Sequence, residues 1–202
     1  MDNCMQKLSI TKWLFLVFLA GICTSSQAQK FLTPDDVTLQ YGGSIGYLNL
    51  SAGYKILKEK GSLNFGYGFV PKSKGGRLHM ATAKIAYRPF NIPIKDWAVI
   101  RPLNPGFFIT YDFGGDFTHK RDESQFSKGY YWWNSAIRPH LSFSNEISLN
   151  SRKALPDSKI KNVTLYSEFN TNDLYVVSWV VNRKTISPGD IFKLGLGVKV
   201  HF

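Results

Sequence analysis

The sequence predicts an all-β fold, a closed antiparallel up-and-down transmembrane barrel of about eight strands. Three observations predict it. Apolar and polar residues alternate with a period of two along most of the chain, the alternation runs to the final residue, and no stretch carries the period of an amphipathic helix. Charged residues make up only 19% of the 202, while 44% are apolar and 15% aromatic. That charge content is below the usual level, so much of the surface must be something other than a charged, water-facing shell. The formal net charge of +11 favours anionic partners.

Residues 1–28 are organised as a cleaved secretory signal. Lys7 and Lys12 give the positive start, Trp13 to Cys23 the apolar core, and Ser26-Gln27-Ala28 a small-x-small cleavage site. The core is too short to span a bilayer as a helix, and Ile22 stands where a lipidation signal carries a small residue before its cysteine. The barrel domain is then 29–202. Both cysteines, Cys4 and Cys23, leave with the signal, so the exported part has neither disulfides nor thiolate metal sites.

Strands are expected at 44–57, 62–70, 79–89, 106–114, 131–150, 160–170, 174–183 and 191–202. In the first, Leu48, Leu50 and Ala52 oppose Asn49, Ser51 and Lys55. In the second and third, Leu63, Phe65 and Tyr67 oppose Asn64 and Gly66, and Ala83, Ile85 and Tyr87 oppose Thr82, Lys84 and Arg88. Phe107, Ile109 and Tyr111 stand against Thr110 and Asp112 in the fourth; Ile137, Leu141 and Ile147 against Arg138, His140, Ser142 and Glu146 in the fifth. The sixth sets Val163, Leu165 and Phe169 against Thr164, Tyr166 and Glu168, and an Asn170-Thr171-Asn172-Asp173 turn leads to the seventh, where Tyr175, Val177 and Trp179 oppose Val176 and Ser178. The last places Leu194, Leu196, Val198, Val200 and Phe202 on one face and Lys193, Gly195, Gly197, Lys199 and His201 on the other. Successive side chains of a strand point to opposite faces, so each strand has one greasy and one polar side. A soluble sandwich can share this pattern; several strands here are long enough to cross a bilayer at a tilt, and an even count closes without an unpaired edge.

An exported, cysteine-free, alternating chain that ends on Phe202 resembles the small outer-membrane β-barrels of Gram-negative bacteria. Gln27-Ala28-Gln29 and the Gly- and Tyr-rich first strand are also similar to barrel proteins of Bacteroidetes. The resemblance implies a monomer in the outer membrane, in contact with lipid and lipopolysaccharide, with Phe202 as a signal for the barrel-assembly machinery. With the C-terminus in the periplasm, counting strands back places 58–61, 90–105, 151–159 and 184–190 outside. Lys58, Lys60, Lys95, Arg101, Arg152, Lys153, Lys159, Arg183 and Lys184 would then face lipopolysaccharide phosphates, and 115–130 becomes a periplasmic turn longer than this class prefers.

The lumen parity collects Lys84, Arg88, Asp112, Arg138, His140, Glu146, Glu168, Lys193 and Lys199. In a narrow barrel these charges must pair, which makes a filled, poorly conducting interior and a non-enzymatic role the primary reading, with a narrow channel as an alternative. A second alternative is hydrolysis of envelope lipid. His140-Leu141-Ser142 resembles the His-x-Ser core of lipid A deacylase barrels, with Glu146 or Glu168 as the group that orients the imidazole. The surroundings depart from that family, because Phe143 follows the serine where the family has asparagine and the acid lies too close. No cofactor is implied. His79, His119, His140 and His201 lack metal-site spacing, Gly42-Gly43-Ser44-Ile45-Gly46 precedes no helix that could cradle a phosphate, and export separates the chain from nucleic acid.

Overall fold

The computed structural model describes residues 33–74, 76–113, 136–151, 156 and 158–202. The signal segment and residues 115–130 lie outside the described residues. Nine strands form one antiparallel sheet: β1 (Asp36–Gly42), β2 (Leu48–Ile56), β3 (Gly61–Val70), β4 (Leu78–Tyr87), β5 (Ile92–Ile94), β6 (Ala98–Asp112), β7 (Ile137–Asn150), β8 (Asn162–Asn172) and β9 (Lys193–His201). Because β1 pairs with both β2 and β9, and β4 with β6, eight strands close on themselves. The short β5 is an extra strand folded back on the start of β6. Closure satisfies the backbone of every barrel strand from its neighbours and removes free edges.

The expected eight-strand count holds through two errors that cancel. Asp36–Gly42 forms β1, which was not expected, and 174–183, expected as a strand, holds helix α1 (Asp173–Val181). In α1 the apolar residues occupy both parities, Leu174, Val176 and Val180 as well as Tyr175, Val177 and Trp179, so a strand there would have no polar face for the lumen. The Asn172 side chain accepts the Tyr175 N–H at 2.9 Å and caps the helix. Asn170–Asn172, expected as a turn, completes β8.

This exchange reverses the polarity of every strand before α1. The Phe202 N–H donates to the Asp35 carbonyl at 3.0 Å, so the chain end meets the start of β1. The links 57–60 and 88–97 lie at that same end, as do the end of β7 and the start of β8, contrary to the expected sidedness of 58–61, 90–105 and 151–159, and residues 98–105 are strand. Of the four segments expected opposite the C-terminus, only 184–190 is there. β6 ends and β7 begins at that opposite end too, which removes the anomaly of an overlong turn beside the termini.

β6 carries Pro102 and Pro105, which cannot donate to a ladder and mark bulges or edges. Its register against β7 shifts between Arg101 and Asn104, Leu103 takes φ 50°, and the Leu103 N–H donates to the Asn145 side chain at 3.0 Å. The extra residue changes parity. Arg101 and Asn104 therefore both pair with lumen positions of β7, Glu146 and Ser144.

The barrel is inverted relative to a water-soluble core. Among the described residues, twenty buried side chains are polar or charged and seven are apolar. Leu50, Phe65, Leu141, Leu165, Leu194 and Leu196 are all exposed on the outer wall. One glycine position shows how tightly the inside is filled. A Cβ at Gly197 would fall on the Tyr166 ring. Gly197→Ala is therefore expected to destabilise the barrel by about 1–3 kcal/mol, as overpacking does, measured as a lower urea midpoint for loss of the folded form; an unchanged midpoint would show that Tyr166 moves freely.

Candidate functional site

Among the described residues, chemistry-bearing side chains converge in the polar interior, and six strands supply the groups described next. Alternation aims Asp36, Thr38 and Gln40 inward from β1, Lys84 from β4, His140, Glu146 and Ser148 from β7, Thr164, Tyr166 and Glu168 from β8, and Lys199 and His201 from β9; β6 adds Thr110 directly and Arg101 through its bulge.

Two carboxylates organise two clusters. Glu146, 3% exposed, receives the Lys199 ammonium at 2.5 Å and Arg88 Nε at 3.0 Å, with Arg101 at 3.9 Å. Arg101 also donates to Ser148 at 2.9 Å, Ser148 pairs with Thr164, and Thr164 meets His201 Nε2 at 3.0 Å. His201 Nδ1 lies 3.8 Å from the Asp36 carboxylate, which accepts the Thr38 hydroxyl at 3.1 Å. Glu168 takes both oxygens to Lys84, at 2.8 and 2.7 Å. Gln40 joins the two clusters: its amide donates to Glu168 at 3.4 Å and its carbonyl accepts Lys84 and the Tyr166 hydroxyl, while the Lys199 ammonium sits 4.6 Å over the Tyr166 ring. These bonds cross the lumen, tying β1 to β4 and β8, and β4 to β8.

The other expected lumen residues lie nearer the end opposite the termini. His140 is 3% exposed, stacked on Phe108 at 4.3 Å and 6°, with Nε2 3.2 Å from the Thr110 hydroxyl. Arg138 pairs with Asp173 at 3.3 Å, Asp112 is half-buried at the end of β6, and Lys193 is exposed with its ammonium 5.0 Å over the Tyr175 ring. Lys55, on the lumen parity at the end of β2, is exposed and pairs with Glu59 at 3.1 Å.

Of the residues considered for hydrolysis, His140 and Ser142 share a strand face, but among the described residues no hydrogen bond joins them. Glu146 and Glu168 are engaged by cations, and the imidazole bonds to Thr110. The arrangement supplies ion pairing and cross-bracing. Its cavity, lined by Thr38, Asn49, Ser144, Tyr166, Glu168 and Lys199, is about 20 Å³, room for a single water. The Ile45 side chain, 2% exposed, tucks in from the β1–β2 turn, which starts with Gly42 and Gly43 at φ 72° and 74°. The Gly42–Gly46 run is thus a turn that fills the barrel mouth. Among the described residues no His, Cys, Asp and Glu group could hold a metal ion.

Sequence reasoning missed Asp36, Gln40 and Arg101 as lumen groups. The Asp36-x-Thr38-x-Gln40 alternation carried the first two. The Pro102–Pro105 spacing was the trace of the bulge that redirects the third. Comparison with protein-family models, curated proteins and solved structures gave no match.

Proposed function

We propose that the chain is an outer-membrane barrel of structural, non-enzymatic function, exported by its first 28 residues, with its outer wall in lipid and its ion-paired lumen as its core. The single observation that carries this reading is the inversion of burial in a closed barrel. Water would leave such a wall exposed, whereas lipid solvates it, and closure satisfies the backbone where no water can. Aromatic residues on both rims agree with interfacial girdles: Tyr111 and Phe113 at one end, Tyr87, Trp97 and Phe202 at the other. Short links and both termini face the periplasm in this reading, and the longer connections face outward, with Arg183 and Lys184 near lipopolysaccharide phosphates.

The test is fractionation of expressing cells. The protein is expected in the outer membrane, released only by detergent, and running faster on a gel before boiling than after. Recovery as a monomer in detergent-free solution would overturn the reading. A lumen crossed by ion pairs, whose cavity beside Glu168 and Lys199 has room for one water, is also expected to give no conductance steps in a planar bilayer; steady open-channel steps from purified protein would show a pore. Phe202 serves in this reading as the assembly signal. Its deletion is expected to lower the folded fraction in cells severalfold while the purified variant still refolds in detergent, because the structure assigns Phe202 only a seam hydrogen bond and a bond from Lys161 at 2.6 Å. Equal folded amounts in cells would remove that role.

A further inference from the structure

α1 is apolar at every position except Asp173 and Ser178, and none of its residues is buried. A helix hydrophobic all round belongs in a packed interior or a membrane, and nine residues do not hold a helix in water without packing. Leu174, Val177 and Val181, at i, i+3 and i+7, form one stripe, 36%, 59% and 74% exposed. Tyr175 and Trp179 flank it, and just past the helix Arg183 lies 5.3 Å over the Trp179 ring, with Lys184 beside it.

The surroundings identify what covers the stripe. The chain leaves β8 into α1 and returns through a short 3-10 turn (Pro188–Ile191), where the Ser187 N–H donates to Asp190 at 2.8 Å and holds that carboxyl below its usual range. It rejoins the outer wall at Phe192, which packs edge-on against Phe143 at 5.8 Å; Phe143 stacks on Phe169 at 5.3 Å. The excursion thus returns on the apolar wall at Phe192, beside Leu194, while its entry is tied by Asp173 to Arg138 at 3.3 Å. An exposed apolar stripe in a segment that returns onto that wall, a tryptophan, and cations at one tip match the chemistry of a bilayer interface with anionic headgroups.

We infer that α1 is an interfacial anchor: its Leu174–Val177–Val181 stripe lies in the outer-leaflet boundary, and Arg183 and Lys184 hold lipid phosphate. The inference rests on the membrane-barrel reading, and the test separates the two. Single-cysteine variants, in a chain with Cys4 and Cys23 replaced by serine, carry a nitroxide at Val177→Cys, at Leu196→Cys on the wall, or at Lys58→Cys in a turn. Each is placed in nanodiscs of phosphatidylcholine, alone or mixed with phosphatidylglycerol, and relaxed by oxygen or by a water-soluble nickel chelate. The label at 177 is expected to resemble that at 196, with nickel accessibility severalfold below that at 58. In anionic discs, Arg183→Glu with Lys184→Glu should raise it severalfold. A nickel-accessible 196 would overturn the barrel reading itself. A shielded 196 with an open 177 would overturn the anchor alone. Spin–spin broadening at 177 would assign the stripe to a second copy, and indifference to charge reversal would remove the phosphate contact.

Discussion

Glu146→Ala is expected to destabilise the barrel by about 3–5 kcal/mol, the cost of stranding buried charge. The substitution leaves Lys199 and Arg88 without their carboxylate and Arg101 without its nearest acid; the cavity beside Lys199 holds about 20 Å³, too little for a hydration shell there. The magnitude comes from the uncompensated cations and not from the pair's net worth, since a buried pair contributes little relative to an apolar replacement. That distinction is testable: adding Lys199→Met to Glu146→Ala removes one orphaned charge and should recover part of the loss. The measurement is the urea midpoint of the heat-modifiable form in detergent. A loss below about 1 kcal/mol would mean that water or counter-ions enter freely, and the filled-lumen description would be wrong.

The parts of the fold that were legible follow one physical rule, and the misses occur where that rule is suspended. Parity placed Lys84, His140, Glu146, Glu168 and Lys199 together inside because strand geometry leaves no choice once the register is set. It was not applied at Arg101, which was expected in an outside loop, 90–105, although 98–105 is strand; the bulge there adds a residue that no period-of-two argument can see. It failed at 174–183 because Tyr175, Val177 and Trp179 alternate by accident in a segment whose other parity is equally apolar, and the helix signal was a single capping asparagine. The error was topological as well as local. One strand misplaced at the C-terminal side and one overlooked at Asp36–Gly42 left the count at eight but exchanged the ends of every link between them. The pairings across the lumen, such as Lys84 with Glu168, depend on closure, and which acid meets which base is not encoded in any local window.

The same closure explains why the interior is so thoroughly bonded. Side chains on the inner face of eight strands meet their opposites across a narrow space, so a lysine from β4 reaches a glutamate from β8 without a loop or ligand between them. Gln40 and Tyr166 take the remaining donors and acceptors between the two ion clusters. The cross-lumen bonds among Gln40, Lys84, Glu146, Tyr166, Glu168 and Lys199 favour one arrangement, while His140 Nδ1, Asn170 Nδ2, Asn104 Oδ1 and Ser62 Oγ are buried among the described residues without a hydrogen-bond partner. The barrel accordingly draws its specificity from its inside and leaves its outside chemically uniform.

That uniform outside yields the second large effect. Leu196 is 53% exposed on β9, opposite Tyr41 and Ser167, with lumen contacts on neither side of its own side chain. Leu196→Arg is expected to destabilise the barrel in lipid by about 2–4 kcal/mol, since an arginine on the lipid face near the midplane loses its hydration. Val200→Arg, on the same face but close to the chain end, should cost about 0–1 kcal/mol because it reaches the interface. The gradient between the two is the informative quantity, measured as unfolding midpoints in phosphatidylcholine vesicles and again in urea-containing detergent. A protein whose wall faced water would accept arginine at either place within about 0.5 kcal/mol, as ordinary surface sites do. Equal, negligible effects at 196 and 200 would therefore remove lipid as the solvent of this surface, while a cost that rises toward the middle of β9 traces the thickness of the apolar layer along a single strand.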